Sequence, residues 1–213
     1  MWTWLVDFFT EGGPIMVPLA LASIVAIAII IERWIALRRA RVISPMLAEA
    51  IEALRPGETA AKLDALAEHD HSALGAIVRV VITHLDWPKS ENIEAVQTRA
   101  RAEAMRLEHG LVWLEIITGI SPLLGLLGTL GGLKYLFKDI GQIATETGTT
   151  GLGIGISHAL NCTFFGLLIA IIALIGWSYF NRQVERMMVE MESMTSDLLA
   201  KLYRENSEAR SER

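Results

Sequence analysis

The sequence predicts an all-α polytopic membrane protein with three transmembrane helices. Apolar residues make up 52% of the 213 positions and charged residues 20%, with a mean hydropathy of +0.40, high for a soluble domain. The apolar residues gather into three blocks, and the charges fill the gaps. Basic residues follow the first and third blocks and precede the second, which puts them on one side of the membrane and gives the chain a direction.

Residues 1–11 read as an outer amino-terminal segment carrying Trp2, Trp4, Asp7 and Glu11. From Gly12 to Ile31 there is no charged residue over 20 positions, the length a helix needs to cross about 30 Å of hydrocarbon. The first span is placed at 12–34. It starts late and lacks a basic leading region, so it does not read as a secretory signal.

Residues 35–110 read as a cytoplasmic helical region. Ser44-Pro45 resembles an N-cap followed by a first-turn proline, and Met46, Leu47, Ala50, Ile51 and Leu54 recur at helical spacing until Pro56-Gly57. Leu63, Leu66 and Ala67 suggest a second short helix, and Ala73 to Leu85 a third that Asp86-Trp87-Pro88 ends. From Ser90 one long helix is expected to continue into the second span, at 111–134, with Gly110 the sole breaker.

Residues 135–153 read as an outer loop, 154–180 as the third span, and 181–213 as a cytoplasmic helix. No formal charge occurs from Thr147 to Asn181. In the tail, Val184, Met187, Met188, Met191, Leu198 and Leu202 form an apolar stripe that needs a helical partner. Arg33, Arg38, Arg39 and Arg41 follow span one, Arg99, Arg101 and Arg106 precede span two, and Arg182 and Arg186 follow span three. The amino terminus is therefore expected outside and the carboxyl terminus in the cytoplasm. Trp34, Trp113 and Trp177 fall at the inner ends, where indoles favour the interface.

Several function classes drop out. A single cysteine excludes an intramolecular disulfide framework and a multi-cysteine metal site. A net charge of −5, with no basic run longer than Arg38-Arg39, gives no reason to expect nucleic acid. His69-Asp70-His71 lacks further ligands at metal spacing and reads as a solvated loop. Gly148, Gly151, Gly153 and Gly155 lack the Gly-Lys-Ser/Thr ending of a phosphate loop. Cys162 reads as a packing residue, and Glu115 as an acid that snorkels to the inner interface. No nucleophile pair or catalytic set is visible, so neither an enzyme nor a cofactor is expected.

Spans two and three carry the information. Thr118, Ser121, Gly125, Thr129 and Gly132 recur every three or four residues, as do Gly155, Ala159, Thr163, Gly166, Ala170 and Ala173. Small residues at that period let helices approach closely in lipid. Thr129 and Thr163 add hydroxyls to the small faces, and either hydroxyl can bond its own i−4 carbonyl. His158 and Asn161 are costlier in a membrane and so suggest function. Thr129 and His158 sit at a similar depth, roughly 6 Å from the outer ends at 1.5 Å per residue. On a helical wheel His158 and Thr163 lie about 140° apart, with Asn161 on the His158 side.

The run Ser121-Pro-Leu-Leu-Gly125-Leu-Leu-Gly128-Thr129-Leu-Gly-Gly132, entered through Leu107-Glu108-His109-Gly110-Leu111, resembles the second span of the MotA/TolQ/ExbB proton channel family. Gly155-Ile-Ser-His158-Ala-Leu-Asn161-Cys-Thr163-Phe-Phe-Gly166 resembles its third span. The resemblance extends to order, spacing and topology over most of the chain. It implies a homo-oligomeric ring in the bacterial inner membrane, pentameric in relatives, around single-span helices of an ExbD/TolR/MotB-like partner. The partner's helix supplies an aspartate, and proton flow past it does work across the envelope. Thr129 and Thr163 match pore-facing threonines. Gly125, Gly128, Gly132, Gly155 and Gly166 then pack the helices. His158 stands where ExbB- and TolQ-like members usually carry glutamate, so it is expected to tune proton access from outside; Asn161 also departs from the family pattern. The moderate cytoplasmic insert favours the ExbB/TolQ-like branch, and the short tail argues against a variant with a long intracellular extension. The competing reading is a non-conducting oligomeric scaffold that anchors an envelope complex.

Overall fold

A computed structural model describes residues 14–54, 61–140 and 148–211. Every regular element among them is a helix: α1 (Met16–Ala36), α2 (Arg39–Val42), α3 (Pro45–Ala53), α4 (Ala61–His69), α5 (Ala73–Thr83), α6 (Lys89–Glu108), α7 (Leu111–Ile140) and α8 (Gly148–Ser211). Three stretches are long and apolar enough to cross a membrane: Met16–Ala36, Leu111–Lys134 and one that begins at Ala159 within α8. At 64 residues, α8 is about three times as long as a crossing requires.

The chain divides into two compact units, Met1–Glu32 with Gly110–Tyr179, and Arg33–His109 with Phe180–Arg213. In the first unit α7 and α8 meet through small residues and much of the large apolar surface faces outward, with Met16, Leu19, Leu111 and Leu114 the large residues most fully inside. Ala26, Ala159, Cys162, Ala170 and Ala173 are buried, while Ile24, Leu123, Leu127, Leu130, Phe164 and Ile175 are exposed. This arrangement suits a unit surrounded by lipid or by other apolar helices.

The second unit has a core of ordinary polarity, built from Leu47, Ile51, Leu63, Leu74, Ile77 and Val81 on the short helices. The tail of α8 contributes Val184, Met187, Met191, Leu198 and Leu202 to the core, while Met188 is half-buried. Polar side chains fasten the elements. Gln183 donates to the Leu37 carbonyl at 2.7 Å. Lys201 Nζ donates to the Ile51 carbonyl at 3.0 Å, at the carboxyl end of α3, where a cation suits the helix dipole. Tyr203 Oη donates to the Trp87 carbonyl at 3.0 Å and accepts from Asn92 Nδ2, also at 3.0 Å.

Four local expectations are corrected. The long helix from residue 90 is two helices, interrupted at His109-Gly110 between α6 and α7. Glycine there costs helix about 1 kcal/mol relative to alanine, enough to concentrate a break. Helix also reaches into both ends of the 135–153 loop, because α7 runs to Ile140 and α8 starts at Gly148. Ser44 precedes α3, but its side chain makes no cap; its hydroxyl bonds Asp70 instead. Met46 faces outward, and Ala48 takes the inward position beside Leu47 and Ile51. The break expected at Pro56-Gly57 lies outside the described residues.

Asp70 is a structural group rather than a freely solvated one. It accepts from the Ser72 amide at 2.7 Å, while Ser72 caps α5 by accepting from the Gly75 amide at 3.1 Å. A Cβ at Gly75 would lie 2.8 Å from the Asp70 carbonyl oxygen, so only glycine admits this turn without a shift.

Candidate ion-pathway site

In the first unit α7 and α8 touch through their backbones. A Cβ at Gly125 would stand 2.8 Å from the Cys162 carbonyl oxygen, and one at Gly166 would stand 2.5 Å from the Ser121 carbonyl oxygen. Gly128 faces the Cys162 side chain, and a Cβ at Gly132 would stand 3.0 Å from Ala159 Cβ. Larger residues at these places would wedge the helices apart.

That closeness brings Thr129 and Thr163 together. Their hydroxyls hydrogen-bond each other. Thr129 Oγ1 also reaches its own i−4 carbonyl, Gly125, at 3.2 Å, and the Ala159 carbonyl of α8 at 3.0 Å. Thr163 Oγ1 reaches the Gly125 carbonyl at 3.1 Å. Two hydroxyl protons thus serve four contacts, and the pair has more than one donor arrangement. Both threonines are half-buried. The arrangement can relay or reorient a hydrogen bond, and it also staples two helices. It supplies no titrating group of its own.

Asn161 is half-buried on α8. It lies about 200° around the helix from Thr163, away from the hydroxyl pair. His158 and Gly155 lie on α8, but their side-chain positions fall outside the described residues. On α8 Thr129 bonds both the Thr163 hydroxyl and the Ala159 carbonyl. Cys162 is buried between the two helices against Gly128, and Glu115 is exposed.

Sequence reasoning took Ser121 only as a small residue in a packing row. Its side chain is fully buried, and its hydroxyl has no hydrogen-bond partner. The Ser-Pro pair within a span was the available signal, since Pro122 withdraws a helix N–H beside it.

The sequence profile of the MotA/TolQ/ExbB proton channel family matches residues 67–193. The chain belongs to that family. An ExbB-like biopolymer transport protein of Synechocystis sp. is 33% identical over 205 residues, covering 92% of this chain and 75% of that one. A second ExbB-like protein of the same organism is 31% identical, covering 88% and 90%. The biopolymer transport protein ExbB of Neisseria meningitidis serogroup A is 26% identical, covering 91% and 94%. Membership in the MotA/TolQ/ExbB family, with three apolar helices, makes this an integral membrane protein of a transport family. The family's character is that of a proton channel in an energy-transducing membrane complex, not of an enzyme.

Proposed function

We propose that the chain is the channel and motor subunit of an inner-membrane complex, assembled as a ring, pentameric as in its relatives. The ring encloses the transmembrane helices of an ExbD/TolR-like single-span partner and couples proton flow to mechanical work across the envelope. In this reading the amino terminus is outside, and the second unit lies in the cytoplasm. The observation that carries it is the Thr129–Thr163 hydroxyl pair, held inside an apolar unit by backbone carbonyls. Hydroxyls with spare donor arrangements can order water beside a titrating group in a narrow passage. That group must come from the partner, because the described spans hold no deeply buried carboxylate. His158 tunes proton access from the outer side, and Asn161 lines the same outer stretch.

The hydroxyls also staple α7 to α8, and this favours a second reading, a non-conducting scaffold. Proton flux into vesicles, with the partner co-reconstituted, separates the two. Thr163→Ala is expected to cut flux at least tenfold while native mass spectrometry still reports the assembled ring. Wild-type flux at background level would leave the scaffold. A Thr163→Ala ring that conducts like wild type would remove the threonines from the path. His158→Ala should shift the pH dependence of flux, and an unchanged profile would dismiss its tuning role.

A further inference from the structure

Ser121 stands alone among the described polar groups of the spans: fully buried, with a hydroxyl that meets no donor or acceptor. Beside it, Pro122 has no N–H, so the Thr118 carbonyl, four residues before the proline, has no helix donor. A serine hydroxyl in a helix lies over the carbonyls three and four residues earlier, which brings Ser121 Oγ into the neighbourhood of that carbonyl. The Thr118 hydroxyl does not serve Thr118's own carbonyl, because it donates to Leu114 at 2.9 Å. One buried donor-acceptor and one freed acceptor therefore lie within a turn of each other, in a unit where every unpaired polar group is expensive.

The same edge of α7 carries the hydroxyl pair. Ser121 lies four residues before Gly125, whose carbonyl accepts from both threonines. Gly125 lies four residues before Thr129. Opposite this edge is the glycine side of α8, where Gly166 brings its backbone against the Ser121 carbonyl. From Thr118 to Thr129 the polar atoms extend about 16 Å along the helix at 1.5 Å per residue, roughly half a hydrocarbon thickness.

We infer that Ser121 seats a buried water between α7 and α8, bridging its hydroxyl and the Thr118 carbonyl. This water extends the Thr129–Thr163 hydrogen-bonded row deeper into the membrane. Water suits the pair because it both donates and accepts, and buried waters typically satisfy two to four otherwise unpaired polar groups; seating it requires the Ser121 side chain to shift, since the hydroxyl is closed to a water-sized sphere as the helices stand. The water site stands on the geometry alone. The role of Ser121 in positioning that water for proton passage rests on the channel reading above.

The test uses the full ring reconstituted with its partner, as wild type, Ser121→Ala and Thr163→Ala. A high-resolution map of the wild-type complex should show an ordered water within hydrogen-bond distance of Ser121 Oγ, absent in Ser121→Ala. Proton flux should fall about three- to tenfold in Ser121→Ala, with a smaller H2O/D2O flux ratio, the ring intact and the melting temperature equal or lower. A dry Ser121 predicts the opposite signs. Alanine would then remove an orphaned hydroxyl, raise the melting temperature and leave flux alone, which overturns the proposal. So does a map in which Ser121 bonds only its own helix. If wild type does not conduct, or Thr163→Ala conducts fully, the channel reading is what fails, and the map alone then decides the water.

Discussion

The two compact units of this chain are built from opposite materials. In the first, α7 and α8 meet through glycine, alanine, serine, threonine and cysteine, and many large side chains point out, with Met16, Leu19, Leu111, Leu114 and Ile169 among the few large ones inside. In the second, leucine, isoleucine, valine and methionine fill the interior, and large exposed apolar residues such as Met46, Trp87, Met105 and Val189 are scattered. The difference follows from the solvent. Against water, burying a large side chain is worth about 1.5–3 kcal/mol, so the second unit gains by placing such residues inside. Against lipid that gain vanishes, and helices associate through close packing and hydrogen bonds between them. The polar contacts divide in the same way. Thr129 and Thr163 bond carbonyls across a glycine contact in the first unit, whereas Gln183, Lys201 and Tyr203 reach carbonyls from long side chains in the second.

The comparison breaks most visibly at a glycine. Gly166→Val should force α7 and α8 apart, because even a Cβ would meet the Ser121 carbonyl oxygen at 2.5 Å. Loss of the proposed ring in native mass spectrometry is expected. Gly119→Ala is the control, since nothing lies within 4 Å of a Cβ there, and assembly should be unchanged. Equal effects of the two would mean that backbone approach is not what joins these helices. In the second unit the matching lesion is a cavity. Leu198 is fully buried, and Leu198→Ala should cost about 2–5 kcal/mol, read as a lower melting temperature in detergent. Leu123→Ala, on the exposed face of α7, should barely move the same measurement.

How much of this was legible depended on whether one helix or two had to be known. The α8 stripe from Val184 to Leu202 could be read directly, because period and burial are properties of a single helix in water. The row of small residues on α7 and α8 was equally plain. What sat opposite each was not, since a helical wheel fixes angles within one helix and leaves open the register between two. Depth put Thr129 level with His158, but it could not show that the Thr129 hydroxyl meets Thr163, the Ala159 carbonyl and its own Gly125 carbonyl. The Ser44 hydroxyl illustrates the same limit: its position before Pro45 suggests a cap, but it makes none, and its bond to Asp70 depends on the fold. Ser121 was hidden because serine is both a packing residue and a polar one.

A hydroxyl in the second unit gives a finer contrast. Tyr203→Phe keeps the ring but removes the group that donates to the Trp87 carbonyl and accepts from Asn92. Asn92 is fully buried, and its other donor contact is the Val81 carbonyl at 3.0 Å. Leaving one Asn92 N–H without an acceptor should cost about 1–3 kcal/mol in thermal or denaturant unfolding. A double change of Tyr203→Phe with Asn92→Leu should recover part of the loss, because it removes both polar partners together. No recovery would mean that the tyrosine acts through its ring packing alone.

The smallest expected effect concerns pH and the Asp70 turn. Burial by itself would push the Asp70 carboxyl upward. Hydrogen bonds from the Ser44 hydroxyl, the Ser72 amide and the Ser72 hydroxyl, with the charge of Arg79, outweigh that and hold it below the ordinary carboxylate range. A folded-state value below the unfolded value of about 3.9 means that the carboxylate stabilises the fold at neutral pH. That contribution is fully present above the unfolded value and is lost as pH falls through the lowered folded value. The Asp70→Asn protein should therefore melt slightly below wild type at pH 7, and the gap should close as the pH drops below about 4. Because the group is only half-buried, solvent screens part of the effect, and added salt should narrow the gap further. A gap that widens toward acid would reverse the sign and show that Asp70 holds the α5 cap in its protonated form.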